Sequence, residues 1–236
     1  YSPLFNNRRG EKVGGFKKMQ HGRSYGCCAC IGSAGTALTE IFGVLKGDNA
    51  LFVNLYNQCS VKTTMNGTPL KLQVFGNLYN SGHMRIKVFG HGRFALKLRI
   101  PAWSEVYKIR LNGTPLNGTV NNGYFTIENE WTNDQIDVLL DDAIKMHRLN
   151  DKIAFTKGPF VLAADKRLEK DLTVPLELYS IKSALPSKHI KNPLFSSNIT
   201  IELLLPNTKL TLCDYAQAGK NYDDENSGLS VWFPQK

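Results

Sequence analysis

The 236-residue sequence has no apolar run near the roughly 20 residues that a helix needs to cross a bilayer, so helical membrane spans and a membrane partner are excluded. It also lacks a glycine-rich phosphate loop, a serine-nucleophile elbow and a His-Glu-x-x-His helix, which removes the commonest nucleotide-binding, hydrolase and metalloprotease signatures. Carboxylates are in short supply, 20 Asp and Glu against 29 Lys and Arg, which leaves a formal charge of +9. That surplus is scattered, apart from clusters at residues 7–12 and at Lys17-Lys18. It therefore reads as a solvated basic surface with no nucleic-acid partner, an acidic polysaccharide or acidic partner domain being the alternative. No charged-then-apolar leader follows Tyr1, so a secretory signal reads as absent or already removed, or the chain as cut from something longer.

Cysteine is scarce and oddly placed. There are five, Cys27, Cys28, Cys30, Cys59 and Cys213, three of them within four positions. An odd number, with an adjacent pair whose geometry strains a disulfide, makes a poor cross-linking framework. The thiols read as reduced.

What is present is mostly β signal. Apolar content of 42% and charged content of 21% suit a globular chain with a sizeable core. The stretches 51–56, 70–75, 84–88, 94–100, 106–111, 124–128, 135–140 and 153–156 are rich in β-formers or alternate with period two. Arg85, Lys87, Lys97 and Arg99 then face outward. Turns recur about every ten residues, the cadence of a sandwich or barrel. Four are Asn-Gly pairs, Asn66-Gly67, Asn112-Gly113, Asn117-Gly118 and Asn122-Gly123, which suit the positive φ of tight hairpins. After a looser, proline-spaced stretch the strands resume at 199–205, 210–212 and 229–233. The one helical pattern lies at 33–42, with Leu38, Ile41 and Phe42 at helical spacing and Ser33 or Thr36 as the cap. The fold class is therefore mainly β, with two β-sandwich domains preceded by a short loop and helix. The parse is 1–48, then 49–165, then 166–236.

Other polar groups have plain readings. The sequons at Asn66, Asn112 and Asn117 coincide with turns, and a fourth stands at Asn198. The five histidines are dispersed, only His21 lying near the cysteines. Asp141-Asp142 and the acidic run at 223–225 read as solvated turns, because neighbours on a strand point to opposite faces.

The stretch Tyr25-Gly26-Cys27-Cys28-Ala29-Cys30-Ile31 then stands out. Cysteines just ahead of a helix have their thiol pKa lowered by free amides and the helix dipole, and a zinc ion would deprotonate them outright. Packing as small apolar groups explains the stretch equally well.

Read together, several stretches resemble glycoside hydrolase family 127, the β-L-arabinofuranosidases. They are Cys27-Cys28 with the helix after it, Ala50 to Tyr56, and Leu98-Arg99-Ile100-Pro101-Ala102-Trp103. Asn112-Gly113, Gly123 to Ile127, Trp131, Ile153 to Leu162, Asp214-Tyr215-Ala216 and Ser230 to Phe233 follow in the same order. The resemblance implies an N-terminal (α/α)6 barrel followed by two β-sandwiches, so residues 1–48 would be the end of that barrel. It implies retaining hydrolysis of L-arabinofuranosides with Cys27 as the nucleophile, and Cys28, with Cys30 as a further candidate, as ligands of Zn2+. It also implies an oligo- or polysaccharide substrate, an upstream helical-barrel portion of the same enzyme that carries the acid–base glutamate, and a periplasmic or secreted setting. The family's Pro-Pro-Asn after the cysteine pair is replaced here by Ala29-Cys30-Ile31. A non-catalytic carbohydrate-binding or interaction β-sandwich protein is the alternative, with Tyr56, Tyr79, Trp103 and Trp232 as its sugar platform. A purely structural zinc knot is a third.

Overall fold

The structure, a computed structural model, describes residues 31–236 apart from 77, 79, 80, 173–174, 177–184, 194–198, 206–207, 220–227 and 236. Of residues 1–30 it describes only the backbone at 4–5, 8–9, 17–18, 24–25 and 27–30. The chain divides into two units: residues 32–142, and residues 143–236 together with 1–31.

Two short antiparallel ribbons come first, β1 (Leu4–Phe5) with β2 (Arg8–Arg9) and β3 (Lys17–Lys18) with β4 (Ser24–Tyr25). Helix α1 spans Cys27–Gly43 and so starts six residues before the expected Ser33. The cysteines are its first turn and do not precede it. Thr36 does not cap. Its Oγ1 donates back to the Gly32 carbonyl at 2.9 Å, and Thr39 Oγ1 donates to the Thr36 carbonyl at 2.7 Å.

The first unit is one folded-over sheet. Its strands are β5 (Val44–Lys46), β6 (Ala50–Val53), β7 (Cys59–Met65), β8 (Thr68–Gly76), β9 (His83–Arg99), β10 (Tyr107–Leu111), β11 (Thr114–Leu116), β12 (Val120–Asn121) and β13 (Tyr124–Leu140). The first half of β9 pairs with β8 and the second half with β6, while β13 follows it across both halves. One layer is thus β7-β8-β9-β13-β10-β11, and the other is β5-β6-β9-β13-β12. Two 17-residue strands turn the corner between layers, where separate strands at 84–88 and 94–100, and at 124–128 and 135–140, are expected.

The corner has identifiable causes. On β13 the buried positions are Phe125, Ile127 and Trp131, then Asp134, Ile136 and Val138, so the inward phase flips once. The flip coincides with a register irregularity between Trp131 and Asn133, as one extra residue in a ladder requires. Opposite it, Gly90 has φ +119, and a Cβ there would stand 2.8 Å from the Pro69 carbonyl oxygen. Trp131, fully buried, closes the bend by donating from Nε1 to the Phe94 carbonyl at 2.9 Å.

Three of the Asn-Gly pairs form two-residue hairpins with positive φ at both residues: Asn66-Gly67, Asn112-Gly113 and Asn122-Gly123. The fourth pair is different. Gly118 lies against Phe125, whose ring would be 2.8 Å from an added Cβ, so glycine there serves close approach and not a hairpin.

The second unit is an antiparallel sheet of β14 (Ile144–Leu149), β15 (Lys152–Lys157), β16 (Phe160–Asp165), β17 (Ser187–His189), β18 (Thr200–Leu204) and β19 (Lys209–Asp214), in the order β14-β15-β16-β19-β18-β17. The expected strand 229–233 is split into β20 (Leu229–Ser230), which pairs with β16, and β21 (Phe233–Pro234), which pairs with β15. Ile153, Phe155, Leu162, Ile201, Leu212 and Phe233 centre its core. The division between units falls at 142/143: β14 pairs with β15, β15 with β16 and β21, and β16 with β19 and β20, and none of the three pairs with a strand of the first unit. Strands β7 and β14 were not among those expected. Both are edge strands whose inward positions are only partly aliphatic.

Candidate functional site

The backbone puts Cys27, Cys28 and Cys30 at positions i, i+1 and i+3 of the first turn of α1. Helical steps of about 100° set the Cys27 and Cys30 backbone positions roughly 60° apart around the axis, and those of Cys28 and Cys30 roughly 160° apart. The first amides of the helix have no intrahelical acceptor, and the first turn carries no acidic residue. Negative charge on sulfur is favoured there. Thiolates are chemically suited to zinc, and zinc takes four donors, so these residues fit a zinc site as part of a larger donor set. Among the described residues no three His, Cys, Asp or Glu side chains come together to hold a metal.

Beyond its first turn α1 presents apolar side chains to solvent. Ile31 is 72% exposed and Ile41 61%, and Leu38 and Phe42 are also exposed. A Cβ added at Gly32, Gly35 or Gly43 would meet nothing within 4 Å. The helix's C-terminal carbonyls are tied down. Asn54 Nδ2 donates to the Phe42 carbonyl at 3.1 Å, and the Asn54 and Leu55 amides donate to Gly43.

The two cysteines with described side chains are poor nucleophiles. Burial, helped by the nearby Asp165 carboxylate, pushes the Cys213 thiol up to about 12. Burial also raises the half-buried Cys59 thiol, against a smaller opposing effect of its hydrogen bond with the Val74 backbone.

The other candidates serve structure. Tyr56 is buried and donates from its hydroxyl to the Arg99 carbonyl at 2.8 Å; burial raises its pKa, a little offset by Arg99. Trp103 packs against the first core, and Trp232 is an exposed residue of the second unit. His147 Nε2 lies 2.8 Å from Thr156 Oγ1. Asn112 Nδ2 donates to Asp134 at 2.7 Å and Asn66 Nδ2 to Asn49 at 3.0 Å, which occupies two of the sequon amides in turns. His21, Tyr79, Asn198 and the run at 223–225 lie outside the described residues.

Sequence reasoning missed one constellation. Asp165, fully buried at the end of β16, receives Nε and an Nη of Arg167 at 2.8 and 2.7 Å and the Gly219 amide at 2.7 Å. Burial alone would raise this carboxyl. The Arg167 and Gly219 hydrogen bonds outweigh it and hold Asp165 below the usual carboxylate range. Asp214 arranges the next turn, its Oδ1 accepting from the Ala216 amide and its carbonyl from Gln217 and Ala218. Its Oδ2 is buried with no hydrogen-bond partner among the described residues. Spacing between Asp165 and Arg167 was visible, but nothing in sequence marks Gly219 as their neighbour.

A mainly β chain of two sheet units with a thiol-rich helix start is the class that the architecture defines. Residues 50–141 match the family model described as "Beta-L-arabinofuranosidase, GH127 middle domain", and they form the first unit's sheet almost end to end. This match agrees with the family resemblance that the motif order carries. Solved structures of similar fold include a GH127 β-L-arabinofuranosidase from Geobacillus stearothermophilus T6, with TM-score 0.73, 19% identity, and coverage of 89% of this chain and 38% of that one. The GH127 β-arabinofuranosidase BT3674 gives TM-score 0.70, 19% identity and coverage of 90% and 39%. A protein described as a glycoside hydrolase gives 0.69, 15%, 99% and 44%. The chain thus spans about two fifths of the length of these structures. No curated protein sequence matches it.

Proposed function

We propose that the chain is the C-terminal, mostly β part of a retaining glycoside hydrolase acting on L-arabinofuranosides or related plant-polysaccharide sugars. The observation that carries this reading is the GH127 middle domain at 50–141, preceded by a helix whose first residue is Cys27. In the first step the Cys27 thiolate would bond to the anomeric carbon while the aglycone oxygen leaves, taking a proton from a carboxylic acid. Water would then attack the same carbon, give its proton to that carboxylate, and release sulfur as thiolate. The carboxyl group would come from an upstream portion of the enzyme. The short span relative to similar structures and the bare apolar side of α1 support such a portion packing there. Residues 1–236 alone would then be catalytically incomplete.

Zinc, when bound, supplies charge that keeps a ligand thiol deprotonated. Of the two ligand candidates, Cys28 is preferred because the family resemblance gives the second cysteine of the adjacent pair that role, with Cys30 as a further candidate. A periplasmic or secreted setting fits a polysaccharide substrate. The rival reading, a binding-only sandwich, is weakened because Tyr56 is part of the core and Trp103 is partly buried against it.

The test is hydrolysis of an aryl β-L-arabinofuranoside by the chain with and without the upstream portion, beside zinc content of the Cys28→Ser and Cys30→Ser variants. Turnover should require the upstream portion, and zinc should fall in Cys28→Ser but persist in Cys30→Ser. Full turnover by residues 1–236 alone would refute the division of labour.

A further inference from the structure

The first unit's charge is unevenly divided between its two outer faces. On the layer built from β7, β8, the first half of β9, the second half of β13 and β10, inward positions such as Leu72, Met84, Ile86, Val138 and Ile109 are buried. The outward positions are therefore Lys62, Lys71, Arg85, Lys87, Lys108 and Arg110, against one outward carboxylate, Asp137. On the other layer Arg93, Lys97 and Arg99 share the outer face with Glu128 and Glu130, and the charge nearly balances. The scatter of cations along the sequence is folded into one basic face.

Asp137 does not neutralise it. Its carboxylate is held below the usual range because hydrogen bonds from Gln135, Arg85 and His83 outweigh the effect of burial. Among the described residues no carboxylate forms an ion pair with Lys62, Lys71, Lys87, Lys108 or Arg110. Lys71 and Lys87 instead lie over the rings of Phe89 and Phe75, at 5.5 and 5.8 Å from the centroids. Those rings are capped by ammonium groups and offer no stacking surface to a neutral sugar or a nucleobase. Recognition on this face must run through charge.

The shape suits a polymer. Two shallow pockets meet at His83, one of about 320 Å3 lined by Phe75, Gly76, Arg85 and Lys87, the other of about 340 Å3 lined by Lys108, Arg110, Asp137 and Leu139. Cations on neighbouring strands are about 4.8 Å apart laterally, and those two residues apart on a strand about 6.7 Å. This is a lattice for evenly spaced single charges. We propose that this face binds a linear, carboxylate-bearing polysaccharide, a polyuronate, and holds the enzyme on its substrate. The choice of a glycan among polyanions rests on the glycoside hydrolase reading.

The test is affinity electrophoresis of the chain through gels containing polygalacturonate, methyl-esterified pectin, neutral arabinan or duplex DNA. Polygalacturonate should retard the wild type, and retardation should fall with added salt. Lys87→Glu with Arg110→Glu should weaken retention about tenfold or more, as loss of several charge contacts does. The same charge change in the second unit, Lys188→Glu with Lys191→Glu, should leave it unaltered. Equal loss in both double variants, equal retardation by arabinan, tighter retardation by DNA, or no retardation of the wild type would each overturn the proposal. Cys27→Ser should be retarded like the wild type, so failure of the thiol chemistry and failure of this face are read separately.

Discussion

The two units are both antiparallel β, yet their order is secured differently. The first relies on local turns and an apolar core: three Asn-Gly hairpins, a glycine-marked bend and one buried Trp N–H with a partner. Apart from Asp134, buried beside the bend, its strand charges stay outside. The second joins its strands over long separations, β16 with β19 and β20 and β15 with β21, and pins that arrangement with the buried Asp165–Arg167 pair. Short-range turn chemistry specifies the one, and a polar network between distant segments specifies the other.

The comparison can be broken most forcefully at Asp165. Asp165→Ala leaves the Arg167 guanidinium, whose side chain is only 14% exposed, without its carboxylate, and should cost about 3–5 kcal/mol. Amide exchange should register the loss in β16, β19 and β20 and spare β9 and β13. Equal loosening of both units would contradict their separate design. Linkage gives the pH sign. Because folding lowers the Asp165 pKa, its contribution is present above the ordinary aspartate value near 3.9 and is lost as pH falls through the folded value. Denaturant titrations from pH 6 downward should show this weakening in the wild type and its absence in Asp165→Ala.

A smaller effect is expected at the first unit's bend. Trp131→Phe removes the indole donor to the Phe94 carbonyl and some core volume, for about 1–3 kcal/mol by equilibrium unfolding. Smaller still is the contrast between two Asn-Gly pairs. Asn112→Ala puts a Cβ-bearing residue with no polar group at φ +50 and removes bonds to Asp134 and Gln135, so about 1–2 kcal/mol should be lost. Asn117→Ala, outside any hairpin, should stay within about 0.5 kcal/mol. A comparable cost at both positions would mean that φ is not what the hairpins demand.

How legible this was in the sequence follows the same division. Alternation at 84–88 and 94–100 revealed the strands, but not that Gly90 lets one strand serve two layers. Asn66, Asn112 and Asn122 announced hairpins correctly, whereas Asn117 carried the same dipeptide for a packing reason supplied by Phe125. The family's motif order was readable, and several of its residues turn out to build turns and bends: Trp131 at the corner, Gly158-Pro159 between β15 and β16, Asp214 at the end of β19. The start of α1 was not legible, because Gly26 and three cysteines have modest helix propensity and the Thr36 hydroxyl looked like a cap. The basic face was not legible either, since its cations come from four strands that only register brings together.

Thiol reactivity offers the most direct examination of the central claim, that Cys27 attacks the anomeric carbon. The enzyme with its upstream portion would be incubated with an L-arabinofuranose analogue carrying an electrophile at the anomeric position, digested, and read by peptide mass spectrometry. The account predicts one sugar adduct per chain on Cys27, with Cys59 and the buried Cys213 unmodified, and complete loss of turnover in Cys27→Ser. A Cys27→Ser enzyme that still cleaves the aryl arabinofuranoside at the wild-type rate, with the adduct on another residue, would contradict it.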